Sequence, residues 1–220
     1  MRTAAILPMK SFSQAKQRLR VELSDADRRA LVDAMFSDAL VALRRVPALE
    51  RIIVVSGDRV AQRIGAGYGA TVVEDEERGH NTAARKGIAA ALENGIARAL
   101  LVPGDCPLLD PRELEDLLVH PAGGRSALIV PDRHGTGTNA LLLAPPDVLA
   151  PSFGPDSRRR HMADAEAAGV AAEVVEVPCL ALDVDTPDDL VALQRRLSNS
   201  HGGAAHTRGM LNQLMRAGSE

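Results

Sequence analysis

The chain has 220 residues, 45% of them apolar and 25% charged, with a formal net charge of −3. These values describe a soluble globular domain and exclude the basic footprint of a nucleic-acid binder. Aromatics at 2%, with no Trp, leave little for stacking bases or sugars, and no apolar run approaches the ~20 residues of a membrane span.

The first residues, Thr3–Leu7, are apolar and stopped by Pro8, which reads as a strand that opens the fold rather than a signal peptide. Ser24, with Asp27 three residues on, has the form of a capping box, and the helix it opens is expected over 25–45. Its Leu31, Met35, Ala39 and Leu43 fall on one face. Arg51–Val55 is a β-rich run of the kind a buried parallel strand needs, broken by Ser56-Gly57-Asp58 before a helix that ends near Gly67. Thr71–Val73 is a third strand; the polar loop Glu74–His80 leads to a helix from about Asn81 to Gly95, and Ala99–Val102 is a fourth strand.

Asp110-Pro111-Arg112-Glu113 carries a cap, a proline at the first helical position and an acid at the third. Ala127–Val130 and Ala140–Leu143 read as strands joined by the loop Pro131–Asn139, Arg158–Ala168 as a helix and Ala172–Val177 as a strand. The apolar run Val177–Leu182 reads as strand that drives aspartates off its end, and Thr186-Pro187-Asp188-Asp189 opens the last helix. Strands alternating with helices predict a three-layer α/β/α sandwich on a mostly parallel sheet, with 1–197 as one domain and 131–160 as an insertion over the sheet edge. Residues 198–220, rich in Gly, Ser, His and Ala, read as a disordered tail with at most a short helix at Met210–Met215. Cys106 and Cys179 lie far apart with no metal-ligand spacing, so reduced thiols in a cytoplasmic protein are expected.

Open α/β sheets bind ligands beyond the carboxyl ends of their strands. After the first strand come Lys10, Lys16 and Arg18, a loop that either is merely solvated or wraps a phosphate chain. It lacks the glycines of a P-loop and of a dinucleotide fingerprint. After the fourth strand comes Pro103-Gly104-Asp105-Cys106-Pro107, where Asp105 is either a turn residue or a ligand for Mg²⁺, a hard ion that favours carboxylate oxygen. The run Leu180–Leu190 supplies further carboxylates at a strand end. Cations plus carboxylates at separate strand ends suit nucleotidyl transfer, which needs no activated side-chain nucleophile when the attacking group is already anionic.

The stretches LPMKSFSQAKQRL, RGHNTAARKGI, LVPGDCPLL, PDRHGTGTNALLL, FGPDSRRRHMADAEAAGV and LALDVDTPDDL resemble, in order over residues 6–193, the guanylyltransferases of deazaflavin coenzyme F-420 biosynthesis, which use 2-phospho-L-lactate or phosphoenolpyruvate. The family usually has Ala-Asp-Leu-Pro where this chain has Gly104-Asp105-Cys106-Pro107. The resemblance implies a nucleotide-diphospho-sugar transferase fold, GTP and Mg²⁺, and transfer of GMP to a small phospho-acid with release of pyrophosphate. It implies Asp105 and one of Asp183 and Asp185 as metal ligands, Asp183 preferred as nearer the strand. Asp188 and Asp189 are then structural acids of the first helical turn, with Thr186 as cap.

By the same resemblance Lys10, Lys16, Arg18 and Asp105 are catalytic, and Pro8, Lys10, Lys16, Gly79, Asn81 and Asp105 bind the nucleotide. Asn81 equally reads as a helix cap. Thr138, Gly154 and Ser157 match phospho-acid-binding positions, and Arg158 adds charge at a helix start. His134 and His161 are candidates for supporting roles behind the site or else ordinary polar residues, and Cys106 reads as packing. An Ala/Arg-heavy, bacterial-looking composition favours phosphoenolpyruvate, with 2-phospho-L-lactate or 3-phosphoglycerate as alternatives. A homodimer is expected because related enzymes often pair, with the product handed to a downstream transferase. A non-catalytic nucleotide-binding module is the reading from another class, and the presence of Asp105 and Asp183 together argues against it.

Overall fold

The computed structural model describes residues 1–12, 15–76, 78–120, 124–200 and 202–217. Ser13 and Gln14 of the cationic loop, Glu77 of the loop after the third strand, and His201 and residues 218–220 of the expected tail lie outside the described residues. The strands are β1 (Thr3–Pro8), β2 (Arg51–Ser56), β3 (Thr71–Glu74), β4 (Arg98–Leu101), β5 (Ser126–Pro131), β6 (Thr138–Ala144) and β7 (Ala171–Val174). The helices are α1 (Asp25–Leu43), α2 (Arg59–Gly67), α3 (His80–Glu93), α4 (Pro111–Val119), α5 (Ser157–Ala167), α6 (Pro187–Ser198) and α7 (Ala205–Ala217).

The strands form one sheet in the order β3-β2-β1-β4-β6-β5-β7. Only β6 runs against its neighbours, antiparallel to both β4 and β5, so the sheet is mostly parallel as expected. Side chains alternate across it, as the two-residue period of a strand requires. On β1, Ala5 and Leu7 join the core under α1, α2, α4, α6 and α7, while Ala4 and Ile6 join the core under α3 and α5. The α/β/α sandwich follows from that alternation.

Helix starts obey local chemistry. The Ser24 hydroxyl accepts the Asp27 N–H at 3.1 Å, and Asp110 accepts that of Arg112 at 2.7 Å. At α6, Thr186 and Asp189 close a reciprocal capping box.

Three expectations fail here. Residues 131–160 do not simply lie over the sheet edge, because they carry β6, which runs inside the sheet between β4 and β5. The run 177–182 is not a strand, since β7 stops at Val174 and a single turn of 3-10 helix covers Pro178–Leu180. Pro178 has no N–H to give a ladder, so the apolar run fills the core, with Cys179, Leu180 and Leu182 buried. The expected tail also carries α7, whose Leu211 is buried and whose Met210 and Leu214 pack against the same core. Its start is held from a distance, because buried Asp38 on α1 accepts the N–H groups of His206 at 3.1 Å and Thr207 at 2.8 Å. No local signal could announce that cap.

Candidate active site

From β1 the chain goes to β2 and β3 on one side and then returns to β4 on the other. A crevice therefore opens between the ends of β1 and β4, where such sheets bind ligands. Because β6 is antiparallel, its first residues, Thr138 and Asn139, arrive at the same end. The resulting cleft of about 710 Å³ is lined by Pro8, Lys10, Lys16 and Arg18 on one side and by Asp105, Asp183 and Asp185 among others. Thr138, Gly154 and Ser157 complete another wall. A side pocket of about 220 Å³ adjoins it, lined by Pro8, Lys10, Asp75, Gly79 and His80.

The cationic loop is fastened by buried anchors. The Phe12 ring is buried and meets Phe36 edge-on at 6.0 Å, and its N–H donates to Asp58 at 2.9 Å. Asp58 also caps α2 through the Val60 N–H at 2.7 Å. Arg28, wholly buried, donates to the Ala15 carbonyl and pairs with Asp25 at 2.9 Å. Lys16 itself takes a left-handed backbone, φ 54°, uncommon without glycine, where the loop turns into the 3-10 helix Gln17–Val21.

That turn drives the Lys16 ammonium into the carboxylates. It pairs with Asp105 and, at 2.6 Å, with Asp185. Burial alone would lower the Lys16 pKa, but the two aspartates outweigh it and raise it. Burial likewise works to raise the Asp185 pKa, and Lys16 overturns this and lowers it. Asp183 has a weaker partner, the Asn139 amide at 3.2 Å, which also donates to the Leu180 carbonyl at 2.7 Å. Burial first, then Asp105 and Asp185, push the Asp183 pKa up to about 6. Asp189 braces the group from below, accepting the N–H groups of Asp185 at 3.1 Å and Thr186 at 2.8 Å and pairing with Arg133 at 2.7 Å.

The donor set fits a hard divalent ion. One oxygen of Asp105, Oδ1, is buried without a hydrogen-bond partner among the described residues, and three carboxylates line the cleft. Among the described residues no three such groups are drawn together as a closed metal-binding set. Instead the Lys16 ammonium, a monovalent stand-in for a cation, bridges two of them.

Other expected positions fare differently. Asn81 is not the cap of α3, a place taken by Gly79 with φ 112°. Its amide instead grips the backbone of Phe153, accepting that N–H at 2.8 Å and donating to that carbonyl at 3.1 Å, so it ties the 131–160 segment to α3. Arg158 contributes its backbone N–H to the Thr136 carbonyl at 3.2 Å, and its side chain is absent from the cleft lining. Asp156 and Gly154 both have positive φ, which bends the chain so that Ser157 begins α5 facing the cleft. The Ser157 hydroxyl is buried without a partner among the described residues. Cys106 is fully buried and its thiol is pushed well up, chiefly by burial, as inert packing.

Two contributors escaped the sequence, His80 and Asn139. Asn139 stands in a quoted motif, but its link to Asp183 crosses 44 residues. His161, a candidate for a supporting role, is wholly buried on α5.

A parallel sheet with a switch-point crevice, a cation-lined loop after its first strand and carboxylates opposite defines a nucleotidyltransferase. The fold agrees with a crystal structure named as a nucleotide-diphospho-sugar transferase from Desulfovibrio desulfuricans, at a TM-score of 0.75, 18% identity and coverage of 99% of this chain and 98% of that one. Residues 3–217 match the family described as guanylyl transferase CofC like, and the chain belongs to that family. The match runs through α7, so the family extends past residue 193, where the sequence motifs stop. A phosphoenolpyruvate guanylyltransferase of Conexibacter woesei is 53% identical over 98% of each chain. A 2-phospho-L-lactate guanylyltransferase of Methanothermobacter thermautotrophicus is 31% identical over 97% of this chain and 92% of its own. Among the described residues no helix is long and apolar enough to cross a membrane.

Proposed function

We propose that the protein transfers GMP from GTP to phosphoenolpyruvate, releasing pyrophosphate and forming enolpyruvyl-diphospho-guanosine for coenzyme F-420 biosynthesis. The observation that carries this is the junction in one cleft of a cationic loop (Lys10, Lys16, Arg18), three carboxylates and a separate wall of hydroxyls at Thr138 and Ser157. The identity of 53% to a phosphoenolpyruvate enzyme supports the choice of acid.

In this reading Lys10, Lys16 and Arg18 hold the triphosphate and offset charge that builds at the α-phosphorus, while Pro8 and Gly79 shape the nucleotide's seat. Asp105 and Asp183, with Asp185 beside them, hold Mg²⁺, which when bound neutralises phosphate charge and polarises the reacting phosphoryl group. The Asp105 oxygen that has no hydrogen-bond partner among the described residues is the natural first ligand. Thr138, Gly154 and Ser157 orient the phospho-acid so that its phosphate oxygen forms a bond to the α-phosphorus as the bond to the β-phosphate oxygen breaks. No side chain need act as base, because the attacking oxygen is already anionic.

The acids in question differ by an alkene, a methyl or a hydroxyl, and a pocket separates a methyl by only about 1–3 kcal/mol. Pyrophosphate release from GTP with Mg²⁺ should therefore be measured with phosphoenolpyruvate, 2-phospho-L-lactate and 3-phosphoglycerate in parallel. The highest kcat/KM is expected for phosphoenolpyruvate, and a preference for either other acid would overturn that choice. Asp105→Asn should abolish release with the fold intact; a variant retaining most activity would remove Asp105 from the metal site.

A further inference from the structure

We propose that His161 is a positioning residue for the phospho-acid, orienting the Thr138 hydroxyl so that its proton is aimed at an anionic oxygen in the cleft. The proposal rests on reading Thr138 and Ser157 as part of the phospho-acid's wall.

Proton bookkeeping around the ring is unambiguous. The Ser152 backbone N–H lies 2.9 Å from His161 Nε2, and a backbone N–H can only donate. Nε2 is therefore unprotonated, which places the ring's proton on Nδ1. Nδ1 stands 3.0 Å from Thr138 Oγ1, so the ring donates and the hydroxyl accepts. The Thr138 proton is left over, and among the described residues it finds no acceptor of its own. Thr138 is only 8% exposed and lines the cleft, so the remaining direction for that proton is toward a ligand.

The arrangement is rigid. His161 is wholly buried, with its ring edge-on to Phe153 at 5.4 Å, and Phe153 is gripped through its backbone by Asn81. Burial lowers the ring's pKa to about 4, so it stays neutral in physiological conditions. A free threonine hydroxyl can serve a donor or an acceptor with equal ease. Held by His161, one of its lone pairs is engaged and its proton is turned toward the cleft, which favours a carboxylate or phosphate oxygen over an amide N–H at that point. The Ser157 hydroxyl, which also lines the cleft and is buried without a partner among the described residues, offers the same ligand a second contact.

The test uses steady-state pyrophosphate release with phosphoenolpyruvate, GTP and Mg²⁺. In His161→Asn the amide NH₂ falls at the place of Nδ1 and can still donate to Thr138. In His161→Gln the amide reaches Ser152 but leaves Thr138 without its donor. His161→Gln and Thr138→Val should each raise KM for phosphoenolpyruvate about tenfold, the size of one lost hydrogen bond, with kcat and the KM for GTP within about twofold. His161→Asn should stay within about threefold, and the double variant Thr138→Val/His161→Gln should be no worse than either single. Equal effects of Asn and Gln, or a KM for GTP that moves in step, overturn the proposal. A Thr138→Val variant with unchanged KM for phosphoenolpyruvate overturns the reading of this wall itself. If Thr138→Val raises KM and His161→Gln does not, the histidine's role alone falls. Independently of any variant, ¹⁵N spectra of the unmodified protein at neutral pH should report His161 as the Nδ1–H tautomer; the Nε2–H form or an imidazolium refutes the assignment.

Discussion

Replacing Asp183 by Asn should stabilise the protein in the absence of metal while weakening its chemistry. Asp183 is held in partial burial beside Asp105 and Asp185, and these causes, in that order, lift its pKa from the ordinary 3.8 to about 6. For an acid whose folded-state pKa is raised, the folded protein binds a proton that the unfolded chain releases between those two values. Stability from this group therefore falls as pH rises from about 4 to 6, and the penalty is complete above that. A rise from 3.8 to about 6 sets a ceiling near 3 kcal/mol, and we expect about 1–3 kcal/mol. Asn keeps an oxygen for the Asn139 amide at 3.2 Å, so the substitution removes charge and little else. For a chain of this size that gain raises Tm by about 2–10 °C. Thermal unfolding with a chelator at pH 7.5 should show it, and at pH 4.5 the advantage should shrink to about a third. Asp185, whose pKa is lowered, loses its own contribution only as pH falls below its ordinary 3.8, outside that window. Adding Mg²⁺ should raise the Tm of the unmodified protein more than that of the variant. A variant less stable at pH 7.5, or equally advantaged at both pH values, would refute the reasoning.

Lys16→Met should have the opposite sign: it strips the ammonium from Asp105 and Asp185, one of them half exposed, and should cost about 1–3 kcal/mol in chelator. Mg²⁺ should then recover more Tm in the variant than in the unmodified protein, and an unchanged Tm in chelator would show that the pair is inconsequential. Asp38→Ala removes the cap of α7 and should cost about 1–2 kcal/mol, with faster amide exchange over 205–217 and pyrophosphate release within about twofold. Unchanged exchange there would mean that the helix is held by its apolar face alone. Gly87→Ala puts a methyl 2.3 Å from Ile6 Cγ2 and 3.1 Å from Val55 Cγ2, where α3 crosses β1 and β2. Overpacking of about 1–3 kcal/mol should exceed the ~1 kcal/mol that alanine gains in a helix, and a denaturant midpoint at or above that of the unmodified chain would contradict this packing.

The elements legible in the sequence are those whose cause is local. Thr3–Pro8 and Arg51–Ser56 are apolar runs broken by turn residues, and Ser24, Asp110 and Thr186 each announce the helix they cap. The failures have distant causes. Alpha-helical residues 205–217 are composed like a tail, and their first N–H groups are satisfied by Asp38, nearly the whole chain away. β7 ends at Val174 although the apolar run continues through Leu182, and Pro178, with no N–H to give a ladder, opens a 3-10 turn instead. Asn81 has the residue type for a cap or a base contact, and only the arrival of Phe153 reassigns its amide.

The aspartates at 183 and 185 make the same point about the site. Strand alternation would put both on one side, and both do line the cleft, yet the backbone that carries them is no strand. What aims them is buried Val184 between them and the Asp189 carboxylate that holds the Asp185 N–H. The two therefore differ in ways that spacing could not reveal. Asp185 is half exposed and already paired with Lys16, whereas Asp183 is more enclosed, lacks a cation of its own and has a raised pKa. A group in that condition gains most from an arriving divalent ion, because the ion removes both the repulsion from Asp105 and the cost of burial. Asp183→Asn should thus weaken Mg²⁺ binding, read by titration of the metal against Tm, more than Asp185→Asn does, and the reverse order would transfer the ligand's place to Asp185.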